Sequence, residues 1–193
     1  MKSKKITIWS TKGGVGKTSI CAELHFRLGW SVVTNERYTM LGVMIEENNL
    51  KILKSNEKIH NYEGNIIFDF GGYIDTRIVN AIEQSTCIIV PTSNSDIDIQ
   101  GTIDTIYTVQ KYNIPIVVII NRIRHMDDCQ YTLESISKLG DFKYFYINES
   151  KAIFNLFRKK KSIINIIENK FMRYVYRNIN IQFDSITSYI NNI

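Results

Sequence analysis

Short apolar runs alternate along this chain with longer segments whose apolar residues recur every third or fourth position. Apolar runs without polar alternation are typical of strands buried on both faces, and the longer spacing is typical of helices that bury one face. The pattern predicts strands at residues 6–9, 31–34, 65–69, 87–90, 116–120 and 142–147. It predicts helices over residues 18–28, 74–84, 96–112, 127–139 and much of 149–192.

Residues 35–62 carry the weakest pattern, and strands are expected there near residues 43–46 and 50–53. Regular alternation of strands and helices elsewhere predicts an α/β fold with a doubly wound, mostly parallel sheet covered by helices on both faces. The length of 193 residues, with 44% hydrophobic and 22% charged residues, fits one globular domain over residues 1–193. Residues 149–193 are expected to pack on its body as C-terminal helices.

Composition and spacing argue against several classes of protein. The longest apolar run, residues 114–120, is interrupted by Pro115 and is far shorter than the ~20 residues of a membrane span. The cysteines Cys21, Cys87 and Cys129 show neither a disulfide framework nor metal-ligand spacing. No apolar signal core precedes the glycine-rich segment at residue 13. We therefore expect a cytoplasmic protein.

The segment Thr-Lys-Gly-Gly-Val-Gly-Lys-Thr at residues 11–18 lies between the first strand and the first helix. Glycines let consecutive backbone amides converge on an anion, and the start of a helix adds free N–H groups there. Lys17 can reach the β- and γ-phosphates of a nucleotide, and the Thr18 hydroxyl can bind Mg²⁺. The predicted nucleotide-binding residues are Lys12, Gly13, Gly14, Val15, Gly16, Lys17, Thr18 and Ser19.

Two departures make this loop more specific. Thr11 stands where the standard phosphate-binding pattern has glycine, and a second lysine follows at Lys12. In these respects residues 11–19 resemble the ParA/MinD/Soj family of deviant-Walker ATPases. The resemblance implies a homodimer with ATP sandwiched between the subunits, in which Lys12 reaches the partner's phosphates.

Further residues complete the predicted site. Asp69 ends an apolar strand, as in a Walker B motif, and is expected to bind Mg²⁺ with Thr18; the alternative is a carboxylate that caps the next turn. Glu36 takes the place of the family's water-orienting aspartate, and could instead be a solvated loop residue. Asn121 and Arg122 follow a strand where the family contacts adenine, and a capping asparagine is the alternative. The predicted catalytic residues are Lys12, Lys17, Glu36 and Asp69.

The overall charge of +5 has its strongest local source near the C-terminus. Residues 151–177 contain eight Lys or Arg and one acid, Glu168, interleaved with apolar residues. A helix of this composition would present many cations on one surface, which can bind DNA phosphates without reading sequence; a solvated charged face is the alternative. The predicted DNA-binding residues are Lys151, Arg158, Lys159, Lys160, Lys161, Lys170 and Arg173. Residues 178–193 carry no Lys or Arg, which disfavours membrane targeting.

The resemblance implies a ParA-like partition ATPase that is cytoplasmic and nucleoid-associated. It would bind DNA nonspecifically, hydrolyse ATP slowly with Mg²⁺, and segregate DNA with a ParB-like centromere-binding partner. The alternative is a conjugation or DNA-transfer accessory ATPase that acts mainly as a nucleotide-binding switch. Amidoligases and an iron–sulfur reductase share the loop, but the reductase needs cluster-ligating cysteines, whereas Cys87 falls in a predicted strand and Cys129 in a predicted helix.

Overall fold

A computed structural model describes residues 3–72 and 75–193. Within these ranges seven strands form one sheet in which every neighbouring pair is parallel, in the order β3-β2-β4-β1-β5-β6-β7. The strands are β1 (Lys5–Ile8), β2 (Ser31–Thr34), β3 (Leu50–Ile52), β4 (Ile66–Asp69), β5 (Cys87–Thr92), β6 (Ile116–Ile123) and β7 (Lys143–Asn148). The prediction of a doubly wound parallel sheet is confirmed.

Helices cover both faces of this sheet. They are α1 (Lys17–Leu28), α2 (Arg77–Glu83), α3 (Asp96–Val109), α4 (Cys129–Ser137), α5 (Lys151–Phe154), α6 (Leu156–Lys159), α7 (Ile163–Ile166), α8 (Lys170–Val175) and α9 (Arg177–Asn192). The helix predicted over 74–84 is observed from Arg77, and its predicted first residue lies outside the described residues. No helix in the described ranges is long and apolar enough to span a membrane.

Consecutive strand residues point to opposite faces and enter two separate cores, which explains why the strands lack polar alternation. Ile67 and Ile89 lie in the core beneath α1 and α9, whereas Phe68 and Ile88 lie in the core beneath α2, α3 and α4. α9 contributes to the first core the apolar stripe Ile179, Phe183, Ile186 and Ile190, all buried.

The strand expected at residues 43–46 is wrong. Met40–Val43 forms a 3₁₀ turn, which begins where the Thr39 side chain accepts a hydrogen bond from Leu41 N at 3.2 Å. Leu41 and Ile45 both enter the first core, at 0% and 4% exposure. The N–H groups of Met44 and Ile45 both donate to Leu41 O at 2.9 Å, so the backbone here closes helical turns instead of pairing with a strand.

The basic stretch, which falls in the region expected to form C-terminal helices, is divided among α5, α6, α7 and α8. Lys160 ends α6 with a left-handed φ of 51°, and the side chains of Ser162 and Asn169 cap the starts of α7 and α8. The two caps satisfy backbone N–H groups at the starts of α7 and α8 and make these two separate helix starts favourable.

Candidate functional site

The glycine-rich loop joins β1, near the middle of the sheet, to α1 at the carboxyl edge of the strands. Gly14 and Gly16 have φ values of 84° and 98°, which side chains rarely adopt. A Cβ on Gly16 would lie 2.3 Å from Asn121 Nδ2, so the loop approaches β6 too closely for any other residue. The loop therefore has the close backbone packing that a phosphate cradle requires.

Lys17 is the first residue of α1 and is 6% exposed. Its Nζ donates to the carbonyl oxygens of Lys12, at 2.8 Å, and Ser10, at 3.3 Å. Burial lowers the pKa of Lys17, and the charges of Asp69 and Glu36 act in the opposite direction. The backbone thus holds one ammonium group inside the loop, beside two acidic side chains.

Asp69, at the end of β4, is 1% exposed, and neither of its carboxylate oxygens has a hydrogen-bond partner among the described residues. Burial raises its pKa to about 7, with a smaller contribution from Glu36. Thr18 and Lys17 lower the pKa, the Thr18 hydroxyl being near the carboxylate without reaching regular hydrogen-bond geometry. A buried carboxylate with no partner is costly unless a cation binds it. Asp69 and Thr18 supply the oxygen ligands that Mg²⁺ prefers, alongside phosphates.

Glu36 follows β2, the strand that pairs with β4. Its backbone N–H donates to the hydroxyl of buried Thr34 at 3.1 Å, and its side chain is half-buried. The charge of Glu36 affects the pKa of both Asp69 and Lys17. The fold therefore brings together Lys17, Glu36, Asp69 and Thr18.

Asn121 lies on β6 beneath the loop and is 3% exposed. Its Nδ2 donates to Val15 O at 3.0 Å, and its Oδ1 accepts from the N–H of Arg122 at 2.9 Å. Each polar group of the amide therefore makes one hydrogen bond within the protein and keeps a second donor or acceptor position. Arg122 has a left-handed φ of 61° and an exposed side chain.

A cavity of about 720 Å³ opens next to the loop. One wall contains Gly16, Ser19, Asn121 and Arg122, and the other comes from residues 148–157. Phe154, which is 85% exposed, and Phe157 provide aromatic surface there. Lys151 also lines this cavity, although its charge and position predicted a DNA-binding role. Its size and mixed lining suit the base and sugar of a nucleotide.

Comparison with known families decides the type of site. The family described as the CobQ/CobB/MinD/ParA nucleotide binding domain matches residues 6–169. The chain belongs to this family. Its glycine-rich loop, Asp69 and the cavity wall up to residue 157 all fall within the matched range.

Solved structures of the ParA/MinD type have the same fold at low sequence identity. Apo McdA from Cyanothece has 14% identity and a TM-score of 0.73, over 97% of this chain and 99% of that one. MinD from Pyrococcus horikoshii complexed with Mg-ADP has 15% identity and a TM-score of 0.69, over 97% and 96%. A plasmid partition protein from Borrelia burgdorferi bound to AMPPNP has 18% identity and a TM-score of 0.61, over 95% and 99%. Among curated proteins no sequence gives a significant match.

Lys12, the second lysine of the glycine-rich loop, is half-buried and packs against α3. A Cβ on Gly101 would lie 2.8 Å from Lys12 Cβ, so the absence of a side chain at Gly101 makes room for Lys12. Thr11 is fixed to the same helix, since its hydroxyl donates to Gly101 O and its N–H donates to Thr105 Oγ1, both at 2.9 Å. These contacts give Thr11 a structural role at the position where the standard loop has glycine.

The other cations predicted to bind DNA are exposed: Arg158, Lys159, Lys160, Lys161, Lys170 and Arg173. Lys159 and Lys161 line a shallow cavity of about 380 Å³ together with Met172 of α8. Arg173 Nε donates to Ile167 O at 3.1 Å, so one N–H of its guanidinium group is bound to the backbone. The cations are therefore distributed over several short helices, apart from Lys151 at the nucleotide-side cavity.

Three residues near the site were missed by sequence reasoning. Thr105 and Gly101 form hydrogen bonds with Thr11 at the start of the loop. Asn35 accepts a hydrogen bond from the N–H of Gly71, two residues after Asp69. Only Gly101 carried a local signal, because a glycine inside a strong helical pattern often marks close packing.

Proposed function

We propose that this protein is a ParA-like partition ATPase. It binds ATP with Mg²⁺, dimerises around the nucleotide, binds DNA nonspecifically and hydrolyses ATP slowly under the control of a ParB-like centromere-binding partner. The cytoplasm, at the nucleoid, is its expected location. The observation that carries the proposal is the buried, unpartnered carboxylate of Asp69 beside the Lys17 ammonium, in a loop that also bears Lys12.

Each residue of the site has a chemical task in this proposal. The amides of residues 13–18 and the Lys17 ammonium would bind phosphate oxygens, while Thr18 and Asp69 would hold Mg²⁺, which neutralises charge on the phosphates. Glu36 would orient the attacking water. Ser19, Asn121 and Arg122 would contact the nucleoside from the cavity wall. The proposal that ATP and Mg²⁺ bind is supported by structures of the same fold that hold AMPPNP and Mg-ADP.

Dimerisation is assigned to Lys12. Replacing Lys12 with alanine is expected to remove ATP-dependent dimerisation, because each Lys12 would neutralise phosphate charge across the interface. ATP affinity should fall far less than in a Lys17 variant. Gel filtration with light scattering, with and without AMPPNP, measures the change. The exposed Lys111→Ala is the control, and an AMPPNP-induced dimer of the Lys12 variant would contradict the assignment.

DNA binding is assigned to the exposed cations of residues 158–161. Changing these four residues to alanine is expected to weaken binding to duplex DNA about tenfold or more and to reduce the slope of log K against log salt by as much as about 3. Fluorescence anisotropy over a salt series measures both. The control removes four exposed lysines elsewhere, Lys54, Lys58, Lys111 and Lys138. An unchanged slope in the 158–161 variant, or equal loss in the control, would count against the patch.

The second candidate function is a conjugation or DNA-transfer accessory that acts as a nucleotide-binding switch. It is favoured by Thr34 and Glu36 in place of the usual aspartate pair, since glutamate differs in reach by one methylene. ATP turnover with and without nonspecific duplex DNA separates the two. Nucleotide-dependent dimerisation without measurable turnover in either condition supports the switch, and DNA-stimulated turnover supports partition.

A further inference from the structure

We propose that Asn35 is a positioning residue for the ATPase reaction, which fixes the peptide following Asp69 against the phosphate-binding loop and aligns it with Glu36. The inference rests on the proposed function. The inference adds to that function a role for one buried amide, that of Asn35, in placing the side chains of Glu36 and Asp69 relative to each other.

The Asn35 side chain, which follows β2, binds two residues of the segment that joins β4 to α2. It is 4% exposed and lies directly after β2. Its Oδ1 accepts from the Gly71 N–H at 2.9 Å, and its Nδ2 donates to Asp75 Oδ2 at 2.8 Å. A buried amide whose two ends bind different partners fixes their separation, because moving either partner leaves a polar group unpaired.

The Gly71 peptide is held from its other side as well. Its carbonyl accepts from Trp9 Nε1 at 3.1 Å, and Trp9 directly follows β1. The next residue, Gly72, lies so close to the loop that a Cβ there would be 2.8 Å from Thr11 O and 3.2 Å from Gly13 N. Gly71 is therefore hydrogen-bonded to both Trp9 and Asn35, and Gly72 packs against the loop that would hold the phosphates.

Asp75 accepts the hydrogen bond from Asn35 Nδ2 and is itself held firmly. Burial alone would raise the pKa of Asp75, but hydrogen bonds from Arg77 and Asn35 outweigh it and lower the pKa to about 2. Arg77 binds both Asp75 oxygens, with Nε–Oδ1 and Nη2–Oδ2 distances of 2.9 and 2.7 Å. It also donates to Lys54 O at 2.7 Å. A charged, two-point pair tied to the segment after β3 gives Asn35 a rigid support.

The consequence for the reaction follows from strand register. Thr34 pairs with Asp69 across β2 and β4, so Glu36 and Gly71 each lie two residues beyond paired positions. Asn35 lies immediately before Glu36 and bonds to Gly71. The Asn35 amide therefore acts together with the β2–β4 pairing and the Glu36 N–H bond to the Thr34 hydroxyl in placing the Glu36 backbone relative to Asp69. Displacements of about 1 Å in such geometry are enough to lower turnover strongly.

The test first removes the hydrogen-bond donor from residue 35 and then restores a donor at residue 75. N35D keeps an acceptor for the Gly71 N–H but puts a second carboxylate against Asp75, and should lower kcat about tenfold or more with ATP affinity changed less than about threefold. In N35D/D75N the amide and carboxylate trade places, but Arg77 loses the charge of its partner, so kcat should recover in part, to at least about threefold above that of N35D. The control is N113D, at an exposed asparagine.

Trp9 gives a readout that does not depend on turnover. The chain has two tryptophans, so W30F leaves Trp9 as the single reporter of the Gly71 contact. In this background N35D should red-shift Trp9 emission without nucleotide, and N35D/D75N should reverse the shift. Unchanged kcat and emission in N35D, or a fall in thermal stability without a fall in kcat of the folded protein, would overturn the inference. A lack of turnover in the unaltered chain would instead defeat the proposed function itself.

Discussion

Replacing Lys17 with methionine is expected to lower ATP affinity more than about 100-fold, which corresponds to about 3 kcal/mol. Methionine has a similar length but neither the charge nor the N–H donors. The Lys17 ammonium is held inside the loop by the carbonyls of Ser10 and Lys12, at a depth where charge-assisted hydrogen bonds to phosphate are strong. Few surface substitutions could have an effect of this size.

The same change should leave the fold intact, because two contributions to stability oppose each other. Methionine removes the cost of burying an ammonium, which already lowers the pKa of Lys17, but it leaves the two carbonyls without their donor. We therefore expect the thermal midpoint to shift by no more than about 4 °C. Titration calorimetry with ATP and Mg²⁺ gives the affinity, with exposed Lys111→Met as the control. Micromolar affinity in the Lys17 variant would show that the nucleotide binds elsewhere.

The sheet could be predicted because its strands are buried on both faces. Ile67, Phe68, Ile88 and Ile89 enter two different cores, and the resulting apolar runs are visible without any knowledge of the partners. The order of the strands could not be predicted in this way. β4 lies between β2 and β1 in the sheet, although its residues are distant from both in sequence. The local apolar pattern carries no information on which strands become neighbours.

The C-terminal basic stretch shows which helix boundaries the apolar pattern leaves open. Its interleaved apolar and basic residues predict helical structure, and Ser150, Ser162 and Asn169 each cap the start of a separate helix. Serine and asparagine are strong N-cap residues, so these positions carried a usable signal. The left-handed conformation of Lys160 had none, because lysine rarely adopts it.

The candidate site divides in the same way. Lys17, Thr18 and Asp69 were predictable because strand ends of a parallel sheet meet at one edge and their residue types suit phosphate and Mg²⁺. Asn35 and Trp9 were not, because their roles depend on contacts with Gly71 across neighbouring strands. No local pattern distinguishes a buried asparagine that braces a loop from one that caps a turn.

Asp69→Asn is expected to reduce ATP hydrolysis more than about 100-fold, because the amide cannot replace the carboxylate as a charged Mg²⁺ ligand. Binding of ATP without Mg²⁺ should change much less, since Lys17 and the loop amides remain. Phosphate release at saturating ATP measures turnover, and exposed Asp104→Asn is the control. Turnover within about tenfold of the unaltered chain would remove Asp69 from the site.

The same substitution should change how stability depends on pH when nucleotide and Mg²⁺ are absent. The pKa of Asp69 is about 7 in the folded protein against 3.8 in an unperturbed carboxyl, so the folded state holds a proton that the unfolded state releases between these values. Stability in the unaltered chain is therefore lost as pH rises toward 7, by up to about 4 kcal/mol. Asparagine removes this loss. Its own buried amide has a cost that does not vary with pH.

Urea unfolding with a chelator at pH 5 and pH 8 isolates the pH-dependent part. The stability advantage of Asp69→Asn over the unaltered chain should grow by about 2.6 kcal/mol between these pH values, and Asp104→Asn should show no such growth. Added Mg²⁺ and ATP should stabilise the unaltered chain more than the variant, because the bound cation gives the carboxylate the partner it lacks. An advantage that is equal at both pH values would mean that Asp69 is not held as an unpartnered buried carboxyl, and the argument for a cation site there would fail.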